Sequence, residues 1–99
     1  LYYAMLGTRA FTHMVVGEDL AAAEWAERAA RSPGAHVLIA MIASATQAII
    51  GEDAKAAQWA ANVRSRNPVL TRDDFFRAFP MKSEVTRARV ANALERCGF

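Results

Sequence analysis

The sequence predicts an all-α fold built from antiparallel helix-turn-helix repeats, and three observations carry that expectation. The stretch 17–26 recurs at 51–60: Gly17-Glu18-Asp19 returns as Gly51-Glu52-Asp53, and Ala22, Ala23, Trp25 and Ala26 return as Ala56, Ala57, Trp59 and Ala60, thirty-four residues on. Residues 35–50 hold no Asp, Glu, Lys or Arg, so a helix there has no solvated face and must be buried on most sides. Pro33-Gly34 and Pro68 then punctuate the chain at matching places, since neither residue type continues a helix well. A fixed period in which each unit cannot bury its apolar face alone is the mark of a stacked repeat. The expected units are 1–34, 35–68 and an atypical 69–99.

The first helix runs over 1–16, with Tyr3, Leu6, Ala10 and Met14, and beside them Phe11 and Val15, at helical spacing. Gly17 ends it, because Gly takes the left-handed conformation after a helix end without a Cβ clash, and Asp19 is placed to accept a backbone N–H at the next helix start. The second helix, 20–31, sets small Ala22, Ala26 and Ala29 on one face, which permits close helix approach. Residues 35–50 form the central helix. Sixteen residues rise about 24 Å, short of a bilayer's needs, so no membrane span is expected. The fourth helix, 54–66, ends at Asn67-Pro68. Thr71 with Asp74 three residues on marks a helix start, and Phe75, Phe76 and Phe79 give that helix an aromatic face. Ser83 caps a last helix over 84–97, whose apolar side is spaced at Val85, Ala88, Ala91 or Asn92, and Leu94 to Glu95, and Gly98 closes it. Stacked repeats leave an apolar end, and this arginine-rich helix is expected to cap it.

The words LYYAMLGTRAFTHMVVGEDLAAAEWAERAARSPG and IIGEDAKAAQWAANVRSRNPVL resemble tetratricopeptide repeats in the turn Gly, the Ala five residues later, the aromatic eight residues later and the closing Pro. The closing FFRAFPMKSEVTRARVANALERCGF resembles the end of the repeat region appended to bacterial class III adenylate cyclases and related winged-helix transcriptional regulators. The resemblance implies binding on a concave face made by the first helix of each unit. Carried over by position, that face holds Phe11, Met14 and Val15 in the first unit and Leu38, Met41, Ala45, Ala48 and Ile49 in the second. It is apolar, and lacks the Lys, Arg and Asn with which some such arrays grip a peptide carboxylate. The expected partner is therefore a protein or peptide. The resemblance also implies that this segment, which opens without Met, belongs to a larger bacterial signalling protein.

The remaining residues set limits. The net charge of +2 is uneven, residues 1–63 carrying −2 and 64–99 carrying +4, so the C-terminal third is the basic end. Its Arg64, Arg66, Arg72, Arg87, Arg89 and Arg96 are interrupted by acids, which makes nucleic acid the secondary expectation. Cys97 is the single cysteine, so no internal disulfide forms and a reducing, cytoplasmic setting is expected. His13 and His36 stand apart from any metal-ligand spacing, and Trp25 and Trp59, at equivalent repeat positions, read as packing residues. Asp73-Asp74 suits a first helical turn, where negative charge meets the helix dipole. No nucleophile-base pair, phosphate loop or metal set is present, so neither cofactor nor catalysis is expected. A first helix without a preceding unit, together with an apolar concave face, points to a homo-oligomer, most simply two-fold, through Tyr2, Tyr3, Leu6, Phe11, Met14, Leu38, Met41 and Ile49.

Overall fold

Two helical hairpins and a C-terminal helical pair make up the chain, in a computed structural model that describes residues 2–99 and, among side chains, 3–99. The first hairpin is α1 (Tyr2–Val15) and α2 (Asp19–Arg31), the second α3 (Val37–Ile49) and α4 (Asp53–Arg66), followed by α5 (Arg72–Ala78) and α6 (Glu84–Arg96). Among the described residues all six elements are helices, as the sequence predicts. Leu1, at the start of the expected first helix, lies outside the described residues.

The two hairpin turns are built alike. Gly17 and Gly51 take φ of 84° and 82°, and Glu18 and Glu52 follow at φ −86°, ψ 73° and φ −85°, ψ 69°. The Glu18 N–H donates to the His13 carbonyl at 2.9 Å, and the Glu52 N–H to the Gln47 carbonyl at the same distance. These bonds satisfy carbonyls that the helix end leaves without intrahelical partners. Asp19 is not the expected cap. Glu18 occupies the cap position with no side-chain bond, and the Asp19 carboxylate, already inside the first turn, reaches across to Arg89 at 2.8 Å. His36 supplies a cap that the sequence reading omits, its ring nitrogen accepting the Leu38 N–H at 3.1 Å.

α3 is the centre. It packs against α4 within its hairpin, against α2 and α1 of the first hairpin, and against α6. Ile39 through Ala48 are all buried, which is what an uncharged helix requires. Gly7 lets α1 approach closely, since a Cβ there would lie 2.7 Å from Ile39 Cδ1. Two polar side chains on α3 donate to partners in the chain, the Thr46 hydroxyl to the Ile42 carbonyl at 2.8 Å and the Gln47 amide to the Ala23 carbonyl at 3.4 Å and the Glu27 carboxylate at 3.0 Å, whereas the buried Ser44 hydroxyl and Gln47 Oε1 have no partner among the described residues.

The C-terminal pair makes its main helix contact through α6 on α3, and the Arg64 side chain of α4 reaches the Cys97 carbonyl at the end of α6. Of the apolar side expected on α6, Leu94 is in the core and Ala91 is half-buried against it, whereas Val85 is 80% exposed and Ala88 is at the surface; Val90 and Ala93 are buried in their place. α5 starts as predicted, with Thr71 and Asp74 forming a reciprocal capping box. No described helix is long and apolar enough to cross a membrane.

Candidate interaction surface

The eight residues expected to line a concave binding face fall on α1 and α3, and four of them are buried within the chain. Met14, Met41 and Ala45 are wholly buried and Ala48 nearly so. Phe11, Leu38 and Ile49 are half-buried, with the Phe11 ring 5.3 Å from that of Phe79. Val15 alone is open, at 39% exposure. The reason lies in the C-terminal pair, which brings its own apolar surface to the same place: Phe75 and Phe76 stack edge to face 5.4 Å apart, and Phe79 lies 5.1 Å from Phe75. An apolar inner face with an aromatic segment in the same chain closes on it, because that removes both from water at once. Of the residues named for a homo-oligomer contact, Leu6, Met14 and Met41 are core side chains, Tyr3, Phe11, Leu38 and Ile49 are half-buried, and Tyr2 lies outside the described side chains.

Polar contacts hold this closure. Arg96 donates to the Ala48 carbonyl at 2.9 Å, at the C-terminal end of α3 where a cation suits the helix dipole. Arg89 is bonded to Asp19, and that hydrogen bond holds its guanidinium above the ordinary arginine pKa. Arg64 donates to the Cys97 carbonyl and its guanidinium lies 5.1 Å from the Phe99 ring. The Cys97 thiol, half-buried, faces the Ser44 carbonyl at 3.7 Å.

The other members of the basic end are engaged in the same manner. Arg66 donates to the Ala35 carbonyl at 2.6 Å, Arg72 pairs with Glu95 at 3.0 Å, and Arg87 stacks 4.1 Å over Phe76. Each of the six arginines that could face nucleic acid thus has a partner within the chain.

His13 bonds the Glu18 carboxylate at 2.8 Å, and no group of three metal-ligating side chains occurs among the described residues. The guanidinium groups of Arg9 and Arg28 both stack on the Trp25 ring, 4.3 and 5.1 Å from its centroid, and Trp59 is half-buried. Asp74 is held below the usual carboxylate range by the Thr71 N–H first and the Thr71 hydroxyl next.

What remains open is the outside of the hairpins. α4 presents Ala57 and Ala61, and α1 presents Arg9, Thr12 and Val16, none of which sequence reasoning marks as a contact. A cleft of about 280 Å³ lies between α4 and the C-terminal end of α6, lined by Asp53, Ala57, Ala60, Arg64, Arg96 and Cys97 with Ala48 of α3. The repeat offset is the signal that locates these faces, once burial is compared between equivalent positions. Comparison with protein families, curated proteins and solved structures gives no match to the chain.

Proposed function

We propose that this chain is a non-catalytic, tetratricopeptide-like helical module that mediates protein–protein contacts, self-association among them, within a larger cytoplasmic signalling protein such as a bacterial adenylate cyclase. The observation that carries the reading is the duplicated hairpin, in which two turns thirty-four residues apart share backbone angles and hydrogen bonds to within a few degrees and tenths of an ångström. Such units bury little alone and gain by stacking on others. With the inner face filled by α5 and α6, contacts fall to the outer faces of α1 and α4.

Sedimentation of the chain at about 10–100 µM, a range suited to an interface of modest affinity, tests self-association. Mass rising with concentration is expected; a strict monomer removes self-association from the proposal. For the parent protein, the coding sequence upstream of Leu1 decides: a class III cyclase domain supports the reading, and its absence withdraws it. Nucleic acid is the weaker alternative, given the engaged arginines. It requires binding of random-sequence DNA or RNA at about 50 mM salt that falls steeply as salt rises.

A further inference from the structure

We propose that the groove between α2 and α4 takes an arginine side chain of a protein partner, its guanidinium stacked on the Trp59 ring. This inference rests on the protein-contact reading and names one contact of that kind.

The walls of the groove belong to the stacked hairpins themselves, one wall from each. Two adjoining clefts of about 380 and 310 Å³ make it up, and both are lined by Glu27, Arg31 and Lys55. Glu24 and Arg28 of α2 complete the first cleft, and Gln58, Trp59 and Asn62 of α4 complete the second.

The offset of thirty-four makes Trp59 the counterpart of Trp25, and the two rings differ in what stands on them. Trp25 carries two guanidinium groups, that of Arg9 from α1 at 4.3 Å and that of Arg28 from the next turn of α2 at 5.1 Å. The counterparts of these arginines in the second unit are Ala43, which is buried, and Asn62, which has no charge. Among the described residues no cation lies over Trp59, although the ring is half-buried and lines the second cleft. One repeat position thus finds its guanidinium contacts inside the chain in the first unit and lacks them in the second. An indole face attracts a cation through its quadrupole, and the planar guanidinium adds stacking that an ammonium does not.

The rest of the groove admits such a group. Arg31 and Lys55 turn to the Glu27 carboxylate, at 2.6 and 4.0 Å, and Arg28 lies on Trp25. Glu24 has no ion-pair partner among the described residues. The exposed Gln58 and Asn62 amides flank Trp59 in the sequence of α4, and the Asn62 oxygen keeps a lone pair beside its 3.3 Å bond from Arg66. Arg28, Arg31 and Lys55 outnumber Glu24 and Glu27 along the groove, so the ring, and not net charge, is the source of the contact, and the contact is weak.

The test uses the whole chain and follows the indole N–H signals of Trp25 and Trp59 by NMR, assigned with Trp25→Phe and Trp59→Phe. A capped Ala-Arg-Ala peptide should shift the Trp59 signal saturably, half-maximally at about 1–10 mM, and leave Trp25 unmoved. The matching Ala-Gln-Ala peptide should bind about two- to fivefold more weakly, the change that one exposed cation–π contact supplies. Asn62→Arg, an exposed substitution that gives the second unit the arginine of the first, should set its own guanidinium on Trp59 and weaken peptide binding by about the same factor, with the helical circular dichroism retained. Four results would each overturn the arginine site: no saturable shift of Trp59, an equal shift of Trp25, equal affinity for the glutamine peptide, or tighter binding of an Ala-Glu-Ala peptide. Unchanged affinity in Asn62→Arg would overturn it as well. Each of these is read independently of sedimentation, so the groove can fail while self-association stands.

Discussion

Met41 shows how burial changes the meaning of a substitution. Its side chain has no exposed surface, so Met41→Lys puts an ammonium among apolar groups with no partner, a cost of several kcal/mol against a total stability of about 5–15 kcal/mol. The expected outcome is loss of the folded state, seen as a collapsed helical signal in thermal melting, not a folded chain with a blocked surface. The turn glycines give a milder and more informative comparison. Nothing lies within 4 Å of a Cβ built on Gly17 or Gly51, so Gly→Ala at either place meets only the backbone cost of a positive φ. Each should destabilise by about 1 kcal/mol, and the two values should agree, since the turns share one geometry. Chemical denaturation of both single variants measures this; unequal costs would mean that surrounding packing, and not the turn, sets the requirement.

Among the elements, α5 has the most explicit chemistry. It is seven residues long, too short to persist without its cap and its packing. Thr71→Ala removes the hydroxyl that accepts the Asp74 N–H at 3.3 Å and should cost about 1 kcal/mol. The same box sets a pH dependence. Asp74 is held below its ordinary value of 3.8 in the folded chain, so its contribution is fully present above 3.8 and is lost as pH falls through the lower, folded value. Denaturation curves from pH 5 downward should decline less steeply for Asp74→Asn than for the parent chain. An unchanged slope would assign the acid sensitivity to other carboxylates. This cap was legible in the sequence because it is local: Thr71, Asp74 and the following aromatics stand within one helical turn or two. The hairpin turns were legible for the same reason. Where α6 docks was not. Val85 and Val90 both lie on helically spaced stripes, and only the surface offered by α3 decides between them. The candidate site fared likewise. Its apolar residues were identifiable, but nothing local in positions 11–15 or 38–49 reveals that residues 75–94 of the same chain will cover them.

For the whole molecule, the central claim is that the C-terminal pair is an integral part of the core, closing the inner face of the hairpins. Phe75, Val90, Ala93 and Leu94 are fully buried alongside Met14, Met41 and Ile42 in one continuous cluster. Elements that share a core open together, whereas an element resting on a preformed face opens alone at lower free energy. The Arg89–Asp19 ion pair and the Arg96 hydrogen bond to the Ala48 carbonyl add to the joint, yet a partly exposed ion pair contributes only about 0–1 kcal/mol and a net hydrogen bond about as much, so the apolar contact decides the outcome. Native-state hydrogen exchange of the α6 amides, compared with those of α3, measures this most directly. We expect Val90, Ala93 and Leu94 to exchange only with global unfolding, at the same free energy as Ile42 to Ala45. Exchange of α6 at markedly lower free energy, with α3 still protected, would mean that α6 lifts away and opens the inner face to a partner, and would contradict its place in the core.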